Sequence, residues 1–427
     1  MKNMSINNIL NITKSWWVKL GFFSVLDQAI FSLTNFTINI LMARWLDSFS
    51  YGVFAILIAV FIVSTSVHNS LILEPMSIFG TLYLNRKRKY FLYLMALHFL
   101  YGFTFLLIVI SYLKMTDDSK SPLLILAFLQ PFMLLPWLIR RFYYLESKVY
   151  LALVTSSIYF LSTILFFYLF KSIQTINAQD GLICMCLGGA LSALIVLFNN
   201  NNIPNTSTNI SLKKLIRCHF EYGKWIMFSN FLLVAVNQGF VFLAATQLGV
   251  REAGVFKALS NFILPAGQIF SAMTILVIPI LSKDFYNRDY NNLLNKGKRI
   301  SRIIVLLALL NETILILFRY DLLRILYDGK YLEYVNLIPI LGIAPIIVAF
   351  YSSRLIVLKT VQLPKYESIA NVVASAIAFC LAIWFTRLWK LNGLVFSMLL
   401  MYCTIGVIIF IAFYKQTKSV QKYSVLN

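Results

Sequence analysis

The sequence predicts an all-α polytopic membrane protein with twelve transmembrane helices, arranged as two pseudo-symmetric six-helix bundles around a central hydrated cavity. Three observations support this prediction. Hydrophobic residues make up 60% of the 427 residues and charged residues only 12%, whereas soluble domains have about 25% charged residues. The apolar residues fall into runs of about 20, which is the length that spans a bilayer. The two halves of the chain also resemble each other.

Twelve apolar runs are long enough to cross a membrane. One long polar segment, residues 199–223, separates the sixth run from the seventh and is predicted to be a cytoplasmic linker. The chain therefore divides into an N-terminal six-helix bundle, residues 1–198, and a C-terminal six-helix bundle, residues 224–427. The predicted spans lie near residues 20–43, 51–73, 90–113, 122–140, 150–170, 181–198, 224–247, 254–281, 301–319, 336–358, 367–386 and 392–414.

The basic residues predict the orientation of these spans. If the N-terminus lies in the cytoplasm, most of the 37 Lys and Arg residues fall in cytoplasmic segments, as the positive-inside rule requires. Both termini are therefore expected in the cytoplasm. The net charge of +21 then reflects topology and contact with anionic membrane lipid, and no nucleic-acid partner is expected.

The two halves are predicted to be a parallel repeat. Six spans, an even number, separate the matching segments, so both halves enter the membrane in the same direction. Parallel repeats are typical of transporters whose site lies between the halves, although channels and membrane enzymes can also be duplicated. The identical pairs, each 202 residues apart, are Gly21 and Gly223, Asn35 and Asn237, Leu46 and Leu248, Gly52 and Gly254, Val53 and Val255, and Phe54 and Phe256.

Polar side chains follow single faces of several spans. In the first span they fall within about 120° of one another at about 100° per residue. Because polar groups are costly in hydrocarbon, we expect these faces to line the hydrated cavity. The alternative for each Asn or Gln is an interhelical hydrogen bond. The cavity candidates are Asp27, Gln28, Asn35 and Asn39 in span one, Asn237 in span seven, and Lys257, Asn261 and Gln268 in span eight.

Four further charged residues lie in or next to spans. Arg44 is near the outer end of span one, where snorkelling to the interface accounts for most arginines. Arg354 is about one turn inside span ten and is a candidate anion contact. Glu74 is expected to have a structural role, in which it forms an ion pair with Arg140 or with the adjacent Arg141. Glu312 is in the middle of span nine, where simple burial and ion coupling are equally open.

No motif of a soluble catalytic or nucleotide-binding site is present. The sequence has no G-x-x-x-x-G-K-[ST] phosphate-binding loop and no H-E-x-x-H zinc motif. Its 16 acidic residues are mostly scattered, and the predicted outer loops are short. A membrane-embedded transferase or polymerase would need grouped carboxylates or a large loop. The sequence therefore predicts no cofactor and no metal, and it favours a transporter over an enzyme.

The segment LDQAIFSLTNFTINILMARWLDSFSYGVFAI, residues 26–56, resembles the first two spans of polysaccharide-lipid flippases. These form the Wzx-like branch of the multidrug/oligosaccharidyl-lipid/polysaccharide (MOP) exporter superfamily. The segment QPFMLLPWLIRRFYY, residues 130–144, is similar to the family's fourth span. The motifs that resemble the family are Asn35-Phe36, Ala43-Arg44-x-Leu46, Tyr51-Gly52-x-Phe54 and the basic pair Arg140-Arg141.

The resemblance implies a flippase of the bacterial inner membrane that works by alternating access. Its substrate would be an undecaprenyl-diphosphate-linked oligosaccharide, moved from the cytoplasmic to the outer leaflet for O-antigen (lipopolysaccharide), capsule or exopolysaccharide synthesis. Polysaccharide polymerase machinery would be a candidate partner. The alternative is a cation-coupled multidrug antiporter of the same superfamily, in which Asp27 would bind the cation.

The resemblance also implies roles for particular residues. Asn and Gln on the polar faces would contact the sugars, and the basic groups of Lys257, Arg354 and Arg44 would contact the diphosphate. Movement would be coupled to protons or sodium ions. The carriers that this sequence offers for the coupling ion are Asp27, Glu74 and Glu312.

Overall fold

The computed structural model describes residues 6–80, 83, 87–117, 121–198, 212–361, 363 and 365–424. Throughout these residues the regular secondary structure is helical, without a β-strand. This confirms the predicted all-α fold class. Many large apolar side chains are exposed along the helices, as expected for surfaces that lipid covers.

Thirteen α-helices follow one another along the described chain, and most of the connections between them are short. A π-helical segment, Asn69–Leu73, joins α2 to α3, and a 3₁₀ segment, Asn261–Ile263, joins α9 to α10. The helices are α1 Ile6–Trp45, α2 Ser48–His68, α3 Glu74–Phe79, α4 Lys87–Thr116, α5 Pro122–Leu145, α6 Val149–Ile173, α7 Ala178–Phe198, α8 Leu212–Gln247, α9 Val250–Ser260, α10 Leu264–Tyr286, α11 Tyr290–Tyr327, α12 Leu337–Thr360 and α13 Lys365–Ser424.

The twelve predicted spans coincide with these helices. Span two consists of α2, the π-helical segment and α3, span eight consists of α9, the 3₁₀ segment and α10, and α13 contains the last two spans. By length and hydropathy alone, eight helices of the described chain could cross a membrane. The chain is therefore a multi-pass membrane protein.

The last two spans are separated by a break in α13 at Lys390. Its φ of 49° and ψ of −129° are not helical, and a positive φ is uncommon for a residue other than glycine. A Cβ atom built on Gly393 would lie 2.1 Å from the carbonyl oxygen of Phe385. Eight residues of continuous helix would place these positions about 12 Å apart. The chain therefore folds back at Lys390.

The π-helical segment packs against α8. Pro75, which follows this segment, has no N–H group to donate to the carbonyl of Leu71. A Cβ atom built on Gly223 of α8 would lie 2.6 Å from a carbonyl oxygen of the π-helical segment. Gly223 therefore permits the close approach of these two elements.

The described helices group into two compact units. The first contains Met1–Ile38 and Val60–Phe231, and the second contains Asn39–Ala59 and Leu232–Asn427. The first unit thus includes the start of α8, and the second includes the end of α1 and the start of α2. Residues 199–211 of the predicted linker lie outside the described residues. The division into bundles at residues 199–223 stays a prediction.

In the first unit, α5, α6 and α7 pack against one another, and two adjacent glycines of α7 permit this packing. A Cβ atom on Gly188 would lie 2.1 Å from Oγ1 of Thr163 in α6, and a Cβ atom on Gly189 would lie 2.7 Å from the carbonyl oxygen of Phe132 in α5. Pro136 cannot donate a backbone hydrogen bond to that carbonyl. The glycine therefore approaches a carbonyl that α5 leaves free of its helical donor.

In the second unit, the starts of α2 and α9 meet at two glycines. A Cβ atom on Gly52 would lie 1.8 Å from the carbonyl oxygen of Val250, and one on Gly254 would lie 2.4 Å from the carbonyl oxygen of Ser48. Ser48 and Gly52 correspond to Val250 and Gly254 in the repeat of 202 residues. Each contact therefore has its counterpart in the other half, as in a two-fold symmetric interface.

Replacing Gly254 with Ala is expected to lower the free energy of unfolding by about 1–3 kcal/mol, because the added methyl group overlaps backbone atoms. Gly267→Ala in α10 is the matched control, since its Cβ would meet no atom within 4 Å and Ala favours a helix by up to about 1 kcal/mol. Thermal unfolding in detergent compares the two variants. Equal melting temperatures would contradict the close contact at Gly254.

Candidate functional site

Asp27 of α1 is fully buried in the first unit and forms a bidentate ion pair with Arg140 of α5. Nε of Arg140 lies 3.0 Å from Oδ1, and Nη2 lies 2.7 Å from Oδ2. Tyr144 donates a hydrogen bond to Oδ2 at 2.8 Å, and Ser156 of α6 donates to Oδ1. The ring of Phe31 lies 3.7 Å below the guanidinium. Side chains of three helices therefore enclose one carboxylate.

The partner of Arg140 corrects an expectation from the sequence. The sequence predicts Arg140 or Arg141 as the partner of Glu74, but the guanidinium of Arg140 binds Asp27, and Arg141 is exposed. Adjacent helical residues point about 100° apart, so only one of the two arginines can point into the unit. The roles of Asp27 in substrate contact and ion coupling stay predictions.

The other polar residues of α1 divide between the two units. Gln28 is exposed, and its Oε1 lies 3.5 Å from Nη2 of Arg140. Asn35 is half-buried and donates to the carbonyl oxygen of Phe31 at 3.2 Å. Asn39 is buried in the second unit. Gln28 is therefore the most exposed of these three residues.

Glu74 accepts hydrogen bonds from two amides in the first unit. Its Oε1 lies 2.9 Å from Nδ2 of Asn69 and 3.2 Å from Nδ2 of Asn230 in α8. The Asn230 amide also donates to Oγ of Ser70 at 3.0 Å. The half-buried carboxylate therefore links the π-helical segment to α8 through neutral donors.

A pair of buried histidines lies in the same unit. Nε2 of His68 is 2.9 Å from Nδ1 of His98, and Nε2 of His98 is 2.9 Å from the carbonyl oxygen of Pro131. A carbonyl only accepts hydrogen bonds, so His98 carries a proton on Nε2. Within the described residues, no three His, Cys, Asp or Glu side chains are grouped as a metal site requires.

Arg44 forms an ion pair at the end of α1 in the second unit. Its Nε lies 2.9 Å from Oδ2 of Asp328, and its Nη2 lies 2.7 Å from Oδ1. Asp328 has a left-handed backbone, with φ of 53°, at the C-terminus of α11. Lys330 donates to the carbonyl oxygens of Arg44 and, at 2.8 Å, of Leu46. These contacts connect the turn after α11 to the end of α1. Arg44 therefore binds a carboxylate of the protein and does not only reach towards solvent.

Asn261 is fully buried between helices of the second unit. Its Nδ2 donates to Oη of Tyr51 at 3.2 Å and to Oη of Tyr327 at 3.3 Å. Tyr327 in turn donates to the carbonyl oxygen of Ala258 at 2.9 Å. Asn261 therefore forms hydrogen bonds between helices, which is the alternative to a position in the cavity.

Two basic residues of the second unit have no carboxylate partner among the described residues. Lys257 of α9 is half-buried, and its side chain makes no ion pair or hydrogen bond with any residue that the structure describes. Arg354 of α12 is half-buried, stacks 3.9 Å above the ring of Phe410 and donates to the carbonyl oxygen of Phe350. Neither cation is therefore neutralised by a carboxylate within this part of the chain.

The remaining candidates lie in the second unit as well. Gln268 of α10 is exposed. The side chain of Asn237 in α8 lies outside the described part of the structure. Glu312 of α11 is buried against Gly342 of α12.

Several residues of these sites carry no clear signal in the sequence. Tyr144 is one helical turn after Arg140, a spacing that could have suggested a shared contact. Ser156 and Asp328 contact Asp27 and Arg44 through the tertiary fold alone, and no local pattern marks them.

The comparisons with known proteins agree on the class of fold. Residues 136–336 match a family model described as polysaccharide biosynthesis protein. An inward-facing multidrug resistance MATE family transporter of the MOP superfamily has a TM-score of 0.76 and 12% identity, over 92% of this chain and 96% of that chain. The chain therefore has the fold of a MOP superfamily transporter.

Two further solved structures show the same fold. The lipid II flippase MurJ has a TM-score of 0.64 and 15% identity, over 92% of this chain and 87% of that chain. A MOP superfamily transporter from Pyrococcus furiosus, described by its binding pocket of reverse polarity, has a TM-score of 0.63 and 11% identity, with 96% coverage of both chains. A search of curated proteins found no match. The matching family model supports the sequence resemblance to the polysaccharide branch.

Replacing Arg140 with Ala is expected to destabilise the protein by about 3–5 kcal/mol, because Asp27 would remain buried without its counter-charge. Arg141→Ala, at the exposed neighbouring position, is the control and should change stability by less than about 0.5 kcal/mol. Adding Asp27→Asn to the Arg140 variant should restore part of the loss. Thermal unfolding in detergent measures all three. Indistinguishable arginine variants would refute the buried ion pair.

The ion pair of Arg44 with Asp328 is partly exposed, at 41% and 55% of the two side chains. A double-mutant cycle with Arg44→Ala and Asp328→Ala is expected to give a coupling energy of about 0.5–1 kcal/mol, which high salt should reduce. The pair of Arg251 and Glu333, 3.4 Å apart and more exposed, is the control and should couple less. Strictly additive effects of the Arg44 and Asp328 substitutions would speak against this contact.

Proposed function

We propose that this protein is a flippase for undecaprenyl-diphosphate-linked oligosaccharides. It would move the sugar headgroup from the cytoplasmic to the outer leaflet of the bacterial inner membrane, with both termini in the cytoplasm. The product would supply O-antigen, capsule or exopolysaccharide synthesis, with polysaccharide polymerase machinery as a partner. The MOP transporter fold and the polysaccharide biosynthesis family match support this class of function.

The observation that favours an anionic substrate is the absence of a carboxylate partner for Lys257 and Arg354 among the described residues. A cation without a partner is costly within a membrane and usually marks a functional site. A diphosphate supplies the missing negative charge, and charge-assisted hydrogen bonds to phosphate oxygens are strong. Hydrogen bonds to these residues would therefore replace part of the hydration that the headgroup loses.

The two cations lie at different depths of the second unit. Arg251 and Glu333, 3.4 Å apart, show that α9 and α12 start at the same end of this unit. Lys257 is seven residues from that end, or about 10 Å, and Arg354 is seventeen residues from it, or about 25 Å. A diphosphate that passed along this unit would meet one cation near each end.

In the proposed mechanism the polyprenyl tail stays in lipid and only the headgroup crosses. Transferring hydroxyl and diphosphate groups through hydrocarbon costs several kcal/mol for each unpaired group, and each 1.36 kcal/mol removed from the barrier accelerates the crossing about tenfold. Alternating access would come from rocking of residues 1–198 against residues 224–427. Proton or sodium coupling through Asp27, Glu74 or Glu312 would supply the driving force.

A cation-coupled multidrug antiporter is the second candidate, because a MATE transporter shares the fold. Such a protein needs a carboxylate that is free to bind a cationic drug. Asp27, the acid expected in that role, is already paired with Arg140. This pairing favours the flippase.

Replacing Lys257 with Met is expected to slow transport roughly 10- to 100-fold, since a hydrogen bond to a charged group contributes about 1.5–3 kcal/mol. Met retains the length and apolar stem of lysine, so folding should be preserved. The assay is exposure of undecaprenyl-diphosphate oligosaccharide to an impermeant glycan probe in proteoliposomes. Lys114→Met, at an exposed position of α4, is the control. Transport by the Lys257 variant at the wild-type rate would overturn this role.

A further inference from the structure

The carboxyl group of Glu312 lies in a recess of the second unit that Gly342 provides. Glu312 is 8% exposed. A Cβ atom built on Gly342 would lie 1.6 Å from its Oε2, so a side chain at position 342 would displace the carboxyl group from this place. Oε2 is buried without a hydrogen-bond partner. Helix α12 therefore accommodates this acid without neutralising it.

The charged groups of the helices that pack with α11 do not reach Glu312. In the described residues, Asp284 of α10 pairs with Lys296, and Lys359 of α12 pairs with Glu367 of α13. Arg354 of α12 stacks above an aromatic ring instead.

Within α11 itself, the nearest basic residues are Arg302 and Arg319. They are ten and seven residues from Glu312, or about 15 and 10 Å along the helix axis. Arg319 lies beside the ring of Tyr320, and within the described chain neither arginine forms an ion pair with Glu312. No counter-charge is therefore in contact with the carboxyl group.

The three acids proposed for ion coupling differ in their surroundings. Asp27 has a guanidinium and two hydroxyl donors, and Glu74 has two amide donors. These contacts stabilise an ionised carboxylate. Glu312 has neither kind of contact among the described residues. An ionised carboxylate buried without compensation is strongly disfavoured, and such a group binds a proton instead.

We propose that Glu312 and Gly342 form a proton-binding site, in which Glu312 is protonated while it lies against α12. The proton comes from water and returns to water when the carboxyl group leaves the recess and becomes hydrated. Glu312 is then the carrier that couples proton movement to transport. The proton site stands by itself, whereas the coupling role rests on the proposed flippase function.

The first experiment measures protonation directly. Infrared spectra of the protein in lipid nanodiscs at neutral pH should contain the C=O stretching band of a protonated carboxyl group. Glu312→Gln should remove this band, and Glu367→Gln, at the acid paired with Lys359, should not. Gly342→Ala should weaken the band, because it displaces the carboxyl group into a more hydrated position. A band that is absent, or unchanged in Glu312→Gln, would overturn the proton site.

The second experiment measures coupling in proteoliposomes with undecaprenyl-diphosphate oligosaccharide. A gradient of one pH unit can accelerate wild-type exposure of the glycan up to about tenfold. Glu312→Gln should lose this acceleration, measured as the ratio of the rates with and without the gradient, and Glu367→Gln should keep it. Acceleration that persists in Glu312→Gln would refute the carrier role. Absence of exposure with the wild-type protein would contradict the flippase function, while the infrared result would still decide the proton site.

Discussion

The structure depends on one constraint, which is that hydrocarbon does not solvate polar groups. Most polar side chains within the helices therefore have protein partners, as Asp27 has Arg140 and Asn261 has two tyrosine hydroxyls. Lys257 has no such partner among the described residues, and Glu312 has none either. The constraint thus distinguishes polar residues that hold helices together from those that remain available for a ligand or a proton.

Close approach of helices is the second requirement, and glycine meets it at particular positions. Gly52 and Gly254 let the starts of α2 and α9 touch through their backbones, and because they are equivalent in the repeat, one duplicated residue satisfies both sides of the contact. Gly342 uses the same lack of a side chain differently, since the space it leaves holds the carboxyl group of Glu312. A substitution at Gly52 or Gly254 would therefore affect helix packing, whereas one at Gly342 would displace the carboxyl group.

Much of the fold could be predicted from the sequence, because apolar runs of about 20 residues and the repeat are local or periodic signals. The twelve spans coincide with helices, and the repeat predicts which glycines correspond. The partners of individual side chains could not be predicted. Periodicity places Asp27 on a polar face of α1, but it does not show that Arg140, 113 residues away in sequence, occupies that face. The recess at Gly342 had no signal, because glycine is common in membrane helices wherever two backbones pack closely.

The most direct test of the central claim compares two substrates in proteoliposomes that contain the purified wild-type protein. One substrate is undecaprenyl-diphosphate oligosaccharide, followed with an impermeant glycan probe, and the other is a fluorescent cationic drug, followed by its efflux under an imposed ion gradient. A flippase with unpaired cations along its path predicts protein-dependent exposure of the glycan and no drug efflux. Drug efflux without glycan exposure, in protein shown to be folded, would contradict the flippase and favour the antiporter.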